Sequence, residues 1–195
     1  MKVIISLKIF LYGGTFDPVH IGHTKIIDKI SLLCDKVIVV PTHKSPGKNN
    51  FPIANSIDRY EMLNLLYEKS KNIEISKYEL MQNKTTYSIG TINYYQTKYK
   101  KANISFVLGA DLFKSIDKWY KIEEIKEKIN FVVLNRSNSL KINNNSEQIK
   151  YLEDFNIGVS SSNIRELLKR NELLKVKKML PLEVFNFIVD KGMYN

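Results

Sequence analysis

Short unbroken apolar runs alternate along the chain with longer segments in which apolar residues recur every three or four positions. Lys8-Ile-Phe-Leu-Tyr12 is a run of the first kind and ends at Gly13-Gly14; an apolar run closed by glycine predicts a strand buried on both faces. From Ile21 to Leu33, the spacing of Ile26, Ile27, Ile30 and Leu33 predicts a helix. Lys36 to Val40 is β-branched, stops at Pro41 and predicts a second strand, which feeds a loop over Thr42 to Asn55 rich in Pro, Gly, Ser and Asn. Ser56 is a cap candidate for the next helix, whose apolar positions are Ile57, Tyr60, Met62, Leu63, Leu66 and Tyr67. Ile73 and Ile75 alternate with polar residues as an edge strand does. A helix is expected over Ser88 to Tyr99, a buried strand over Ile104 to Leu108 before Gly109, a charged helix over Trp119 to Ile129, and a strand over Phe131 to Leu134. Leu140 to Lys150 reads as a polar, Asn-rich surface loop. Asn156 to Val159 reads as a short strand leading into Ser160-Ser161-Ser162, with helices over Ile164 to Arg170 and Leu182 to Asp190.

Strands and helices that alternate in this way, with strands apolar on both faces, predict an α/β fold: an open parallel sheet covered by helices on both sides, wound in the Rossmann-like manner. A chain of 195 residues, 44% hydrophobic, is sized for one core. With no internal repeat or long linker, a single domain spanning 1–195 is expected, its C-terminal part (about 161–195) helical. Ligands bind such sheets at the carboxyl ends of the strands near the switch point. Gly13, Gly109 and Ser160, which follow predicted strands, are therefore the places to look.

Composition removes several alternatives. The longest apolar runs, Ile104 to Leu108 and Phe131 to Leu134, fall far short of the roughly 18 residues of a membrane span. Met1 to Tyr12 runs into Gly13-Gly14 without a small-residue cleavage site, so it reads as a strand and not a signal peptide. One cysteine, Cys34, allows no internal disulfide, and the cytoplasm is the expected compartment. The net charge of +10 raises the question of nucleic acid. The lysines are nevertheless dispersed along the whole sequence, which fits a solvated surface and a positive field for an anionic small molecule better than a nucleic-acid arm. Against this lysine bias only Arg59, Arg136, Arg165 and Arg170 are arginines. A planar, bidentate fork for phosphate is a reason to keep them.

The segment Gly13-Gly-Thr-Phe-Asp-Pro-Val-His-Ile-Gly-His23 falls between the first strand and the first helix, where free backbone N–H groups and the helix dipole attract anions. Glycines allow close approach of a phosphate. His20 and His23, two of only three histidines, are three apart and share one side of the helix start. The glycine spacing is neither that of a Walker A loop nor that of a GxGxxG fingerprint.

This segment resembles the (H/T)xGH signature of the nucleotidylyltransferase superfamily in its GGTFDPVHxGH form. By that resemblance Gly13, Gly14, Thr15, Phe16, His20 and His23 bind ATP, and the two histidines polarise its phosphates. A nucleotide phosphate that attacks is already an anion at neutral pH, so catalysis can be positioning plus charge stabilisation, without a general base. Mg2+ would accompany ATP. No carboxylate cluster suggests a fixed metal site, and Asp17 and Asp111 read as hydrogen-bonding groups.

Further motifs resemble the bacterial-type nicotinate mononucleotide adenylyltransferases over nearly the whole chain. Ala54-Asn55-Ser56 with Arg59 resembles a helix start of that family. Gly109-Ala110-Asp111 resembles its GxD, implying that Gly109 and Asp111 contact nucleotide. Trp119-Tyr120 resembles the pair whose indole stacks on the pyridine ring, a contact favourable for a pyridinium. Thr86-Tyr87-Ser88 resembles the turn whose backbone amides hold the nicotinate carboxylate. Val159-Ser160-Ser161-Ser162-Asn163-Ile164-Arg165 resembles the second phosphate signature, so that Ser161, Ser162, Ile164 and Arg165 would bind ATP, with Arg165 catalytic. Arg136 resembles a family arginine near ATP.

One stretch departs from the pattern. Where the family has PPHK or PPHR, this chain reads Pro41-Thr-His-Lys-Ser-Pro-Gly-Lys48, which leaves Lys44 and Lys48 as phosphate-contact candidates and His43 without an assigned role. The resemblance implies transfer of AMP from ATP to nicotinate mononucleotide, giving deamido-NAD and pyrophosphate. Another adenylyl- or cytidylyltransferase of the superfamily, or a non-catalytic nucleotide sensor, shares the first and last motifs. Oligomeric state and the choice between nicotinate and nicotinamide are not legible in the side chains.

Overall fold

The computed structural model describes residues 6–46, 50–82, 84–135, 148–153, 155 and 158–194. In chain order the elements are β1 (Lys8–Gly14), α1 (Ile21–Ser31), β2 (Lys36–Pro41), α2 (Ser56–Tyr67), β3 (Ile73–Ile75), α3 (Tyr78–Met81), α4 (Ser88–Lys98), β4 (Asn103–Gly109) and α5 (Ala110–Phe113). A 3-10 turn (Ile116–Lys118), α6 (Ile122–Lys128), β5 (Asn130–Leu134), β6 (Ile149–Leu152), α7 (Ser161–Lys169), α8 (Leu173–Lys177) and α9 (Leu182–Asp190) follow.

The strands pair in the order β3-β2-β1-β4-β5-β6, and every pairing is parallel. This is the Rossmann-like sheet expected from the alternating pattern. Successive residues of each strand face opposite sides, so the central strands are apolar on both, with Ser105 of β4 a buried exception. Phe10, Tyr12, Val37, Val39, Val107 and Val132 pack with Ile27 and Ile30 of α1, Met62 and Leu63 of α2, and Ile164 and Leu168 of α7. Ile9, Leu11, Ile38, Val40, Leu108 and Val133 pack on the other face with Ile89, Ile92 and Tyr95 of α4 and Ile122 and Ile125 of α6. Each fully buried aliphatic side chain contributes roughly 1.5–3 kcal/mol.

The chain builds outward from β1 to β3, then returns to place β4 on the other side of β1. The switch point thus lies between β1 and β4, whose carboxyl ends carry Gly13-Gly14 and Gly109. In sheets of this kind ligands bind at that point, where the connections leave two strand ends in opposite directions.

Several sequence expectations are corrected. The sixth strand is Ile149–Leu152; Gly158 and Val159, at the end of the expected strand, are not in one, and residues 156–157 of that stretch lie outside the described residues. Of the expected surface loop, residues 140–147 also lie outside them. The helix expected from Trp119 starts only at Ile122, because Trp119 is extended and Lys121 is left-handed with φ 57°. Asn55, not Ser56, caps α2, its side chain accepting from the Asp58 amide at 2.9 Å. Ile57 faces outward, 72% exposed.

Candidate active site

Between β1 and α1 the chain turns sharply. Phe16 adopts φ 51°, and its ring is buried edge-on to Tyr12 and to His23, with centroids 5.8 and 4.9 Å away. A Cβ on Gly14 would lie 2.8 Å from that ring, and one on Gly13 would lie 3.4 Å from Phe106. Gly14 is therefore required by the packing that supports His23. At Gly109, on the neighbouring strand, a Cβ would meet nothing within 4 Å. That backbone faces open space at the switch point, as the approach of a ligand needs.

His20 is the N-cap of α1, and its Nδ1 accepts from the Gly22 amide at 3.1 Å. Nδ1 of His23 accepts from the His20 amide at 3.3 Å, and the two rings stack with centroids 3.7 Å apart. An amide N–H only donates, so each Nδ1 must present a lone pair. A neutral ring then carries its proton on Nε2. Burial, followed by the neighbouring His20, holds His23 well below the usual histidine range. At neutral pH His23 is thus a neutral Nε2–H donor fixed in one tautomer.

Asp17 is buried and ties the loop to three distant segments. Its Oδ2 accepts from the Ile53 amide at 2.8 Å and its Oδ1 from the Ala54 amide at 3.0 Å. The Tyr194 hydroxyl donates to Oδ1 at 2.7 Å, and Arg165 Nη1 donates to the Asp17 carbonyl at 2.6 Å. Nη2 of Arg165 reaches Ser162 Oγ at 3.3 Å. The start of α7 is also pinned here, with Ser161 Oγ donating to the Pro18 carbonyl at 3.0 Å and Ser160 accepting from the Asn163 amide at 3.2 Å. Arg165, Ser161 and Ser162 therefore lie against the glycine-histidine loop. The Ile164 side chain is fully buried in the core and its amide donates to the Ser160 carbonyl at 3.1 Å, so neither faces a nucleotide.

Arg59 does not serve as a phosphate arginine. It is 1% exposed, and its guanidinium donates to the carbonyls of Ala54, Thr15 and Thr42 at 3.2, 2.8 and 2.7 Å. Those bonds clamp two loops together, Nη2 adds a contact to Ser56 Oγ at 3.4 Å, and burial lowers its pKa.

Trp119 packs edge-on to Phe106 of β4, at 5.7 Å, half-buried beside the strand that ends at Gly109. Tyr120 is exposed and meets Tyr87 at 4.9 Å. The Trp119-Tyr120 pair and the Thr86-Tyr87-Ser88 turn, separate in sequence, are thus neighbours. Ser88 opens α4, whose N-cap Tyr87 offers no side-chain cap. Asp111 is exposed in the first turn of α5. Lys44 lies over the Phe51 ring at 4.5 Å, and His43 Nδ1 is 3.2 Å from Ser56 Oγ. Lys48 and Arg136 lie outside the described residues.

Among the described residues no group of three or more His, Cys, Asp or Glu side chains could hold a metal ion. No helix among them is long and apolar enough to cross a membrane. Tyr194 went unnoticed in the sequence. It lies 177 residues from Asp17 and belongs to no motif, so only the fold reveals the contact.

The sequence profile of the cytidylyltransferase-like family matches residues 11–167. A protein of Aliarcobacter butzleri named "probable nicotinate-nucleotide adenylyltransferase" is 38% identical over 193 residues, covering 97% of this chain and 100% of its own. One of the same name from Caldicellulosiruptor saccharolyticus is 35% identical over 199 residues, covering 96% and 99%. The solved Plasmodium falciparum nicotinic acid mononucleotide adenylyltransferase complexed with NaAD has a TM-score of 0.78 at 22% identity, covering 96% of this chain and 97% of that one. At that identity the likeness is one of fold.

Proposed function

The chain belongs to the cytidylyltransferase-like family and, within it, to the nicotinate-nucleotide adenylyltransferases, and from that membership we propose that it transfers AMP from ATP to nicotinate mononucleotide. The observation that carries this reading is the stacked His20–His23 pair at the start of α1, with both Nδ1 atoms occupied by backbone donors.

A phosphate oxygen of the mononucleotide attacks the α-phosphorus of ATP; the new O–P bond forms as the bond to the bridging oxygen of the β-phosphate breaks, and pyrophosphate leaves. Protonated Nε2 atoms are hydrogen-bond donors of the kind that stabilise charge gathering on the phosphoryl oxygens, and they need no reorganisation because their tautomer is already set. The backbone of Gly13, Gly14, Thr15 and Phe16, together with Gly109, Asp111, Ser161, Ser162 and Arg165, forms the ATP side of our assignment. Arg136 joins it on resemblance alone. Thr86, Tyr87, Ser88, Trp119 and Tyr120 form the mononucleotide side, with Lys44 and, by resemblance, Lys48 toward phosphate. The open α4 N-terminus suits a carboxylate, which favours nicotinate over nicotinamide.

Magnesium is assigned to the triphosphate, because the described residues offer it no cluster of protein ligands; when bound, it offsets charge on the leaving phosphates. We place all of this in one nucleotidyltransferase domain, with α7 to α9 as its helical C-terminal part, acting in the cytoplasm on small nucleotides and without nucleic acid.

The test is an acceptor panel with ATP and Mg2+: nicotinate mononucleotide, nicotinamide mononucleotide and phosphopantetheine, with product identified by mass. A pyridine dinucleotide is expected. Adenylylation of phosphopantetheine alone would overturn the assignment.

A further inference from the structure

We propose that Tyr194 is a positioning residue for adenylyl transfer, its buried hydroxyl locking the Asp17 carboxylate and thereby setting the guanidinium of Arg165 toward the triphosphate. The proposal rests on the function assigned above.

Tyr194 follows α9, is 7% exposed and packs in the core under the first face of the sheet. The segment leading into it is anchored twice, by the Met193 amide donating to the Ile188 carbonyl at 3.0 Å and by Lys191 pairing with Asp58 at 2.6 Å. Tyr194 itself sits at φ 69°, a left-handed conformation uncommon for a residue with a side chain. Held in this way, its hydroxyl donates to Asp17 Oδ1 at 2.7 Å, where the Ala54 amide also donates.

Arg165 depends on the same residue twice. Nη1 donates to the Asp17 carbonyl at 2.6 Å and lies 3.9 Å from Oδ2. With Oδ1 filled by Tyr194 and Ala54, and Oδ2 by Ile53, the carboxylate has one orientation, which fixes its charge 3.9 Å from Arg165 Nη1. Burial beside Asp17 pushes the Tyr194 pKa up, so the hydroxyl stays a donor throughout the working pH range. A tyrosine far along the chain thus closes a relay that ends on a phosphate-site arginine. Displacing such a group by a fraction of an ångström costs rate out of proportion to the bond lost.

The experiment is a double-mutant cycle with Tyr194→Phe and Arg165→Ala. Phenylalanine keeps the buried ring and removes only the donor; Tyr194→Met serves as a second variant that fills the space differently. The expected result is a roughly tenfold fall in kcat/KM for ATP, with KM for the mononucleotide within about twofold and no further fall when Tyr194→Phe is added to Arg165→Ala. Unchanged kinetics in Tyr194→Phe would overturn the proposal, as would losses that multiply across the cycle. ATP titration of the same four proteins needs no acceptor. If the wild type fails to use nicotinate mononucleotide, the functional reading falls while titration still decides this one: affinity lowered by Tyr194→Phe only where Arg165 is present supports it, and equal affinities overturn it.

Discussion

Replacing Glu79 by glutamine should stabilise the protein at alkaline pH and leave it nearly unchanged in acid. Glu79 lies in α3, 6% exposed, and its Oε1 accepts from Thr91 Oγ of α4 at 2.6 Å. Its Oε2 is buried without a hydrogen-bond partner among the described residues. Burial pushes its pKa from 4.5 up to about 7, although the Thr91 bond pulls the other way. The folded state therefore binds this proton more tightly than the unfolded state does. Its contribution to stability is fully present below pH 4.5 and is lost as pH rises through about 7. A span of about 2.5 in pH at 1.36 kcal/mol each gives about 3 kcal/mol. The glutamine side chain keeps an acceptor for Thr91 and never ionises. Urea unfolding of both proteins at pH 5 and pH 8.5 measures the difference. We expect Glu79→Gln to be more stable by about 3 kcal/mol at pH 8.5 and within about 1 kcal/mol at pH 5. A difference independent of pH, or a variant less stable at pH 8.5, would refute the reasoning. Because Thr91 sits one turn into α4 and Ser88 opens it, KM for the mononucleotide in the wild type should also rise above pH 7 more steeply than in the variant.

Three other substitutions probe the remaining parts of the site. His23→Ala should lower kcat by about 10² to 10³, the loss of one preorganised donor, with an unchanged circular dichroism spectrum; wild-type turnover would remove His23 from the chemistry. Trp119→Ala should raise KM for the mononucleotide about tenfold, as a lost stacking contact does, and an unaltered KM would exclude the stacking role. Arg59→Met should cost roughly 3–5 kcal/mol in denaturant unfolding, because the buried Ala54, Thr15 and Thr42 carbonyls lose their donor; a neutral effect on stability would show that Arg59 is not a clamp.

The central strands were legible because burial on both faces writes them as apolar runs, as in Ile9 to Tyr12. β6 was not, since Ile-Lys-Tyr-Leu is a half-exposed edge strand with a lysine in its middle, and it directly follows the polar, Asn-rich stretch that reads as a loop. Helices of four or five residues, such as α3, α5 and α8, are too short to show a period. At Trp119 no glycine or proline marks the break that the left-handed Lys121 makes. The glycine-histidine loop could be read directly, its chemistry being contiguous in the chain. Arg59 could not: its place beside a motif suggested phosphate, while the three carbonyls that converge on it come from segments as far as 44 residues away. The contact of Tyr194 with Asp17 has no sequence signature at all.

The most direct test compares kcat/KM for nicotinate and nicotinamide mononucleotides with ATP and Mg2+, following dinucleotide and pyrophosphate together. We expect the two products in equal amounts, with nicotinate preferred by about tenfold or more, the scale of one well-placed charged hydrogen bond at the start of α4. ATP consumption without any pyridine dinucleotide would contradict the account.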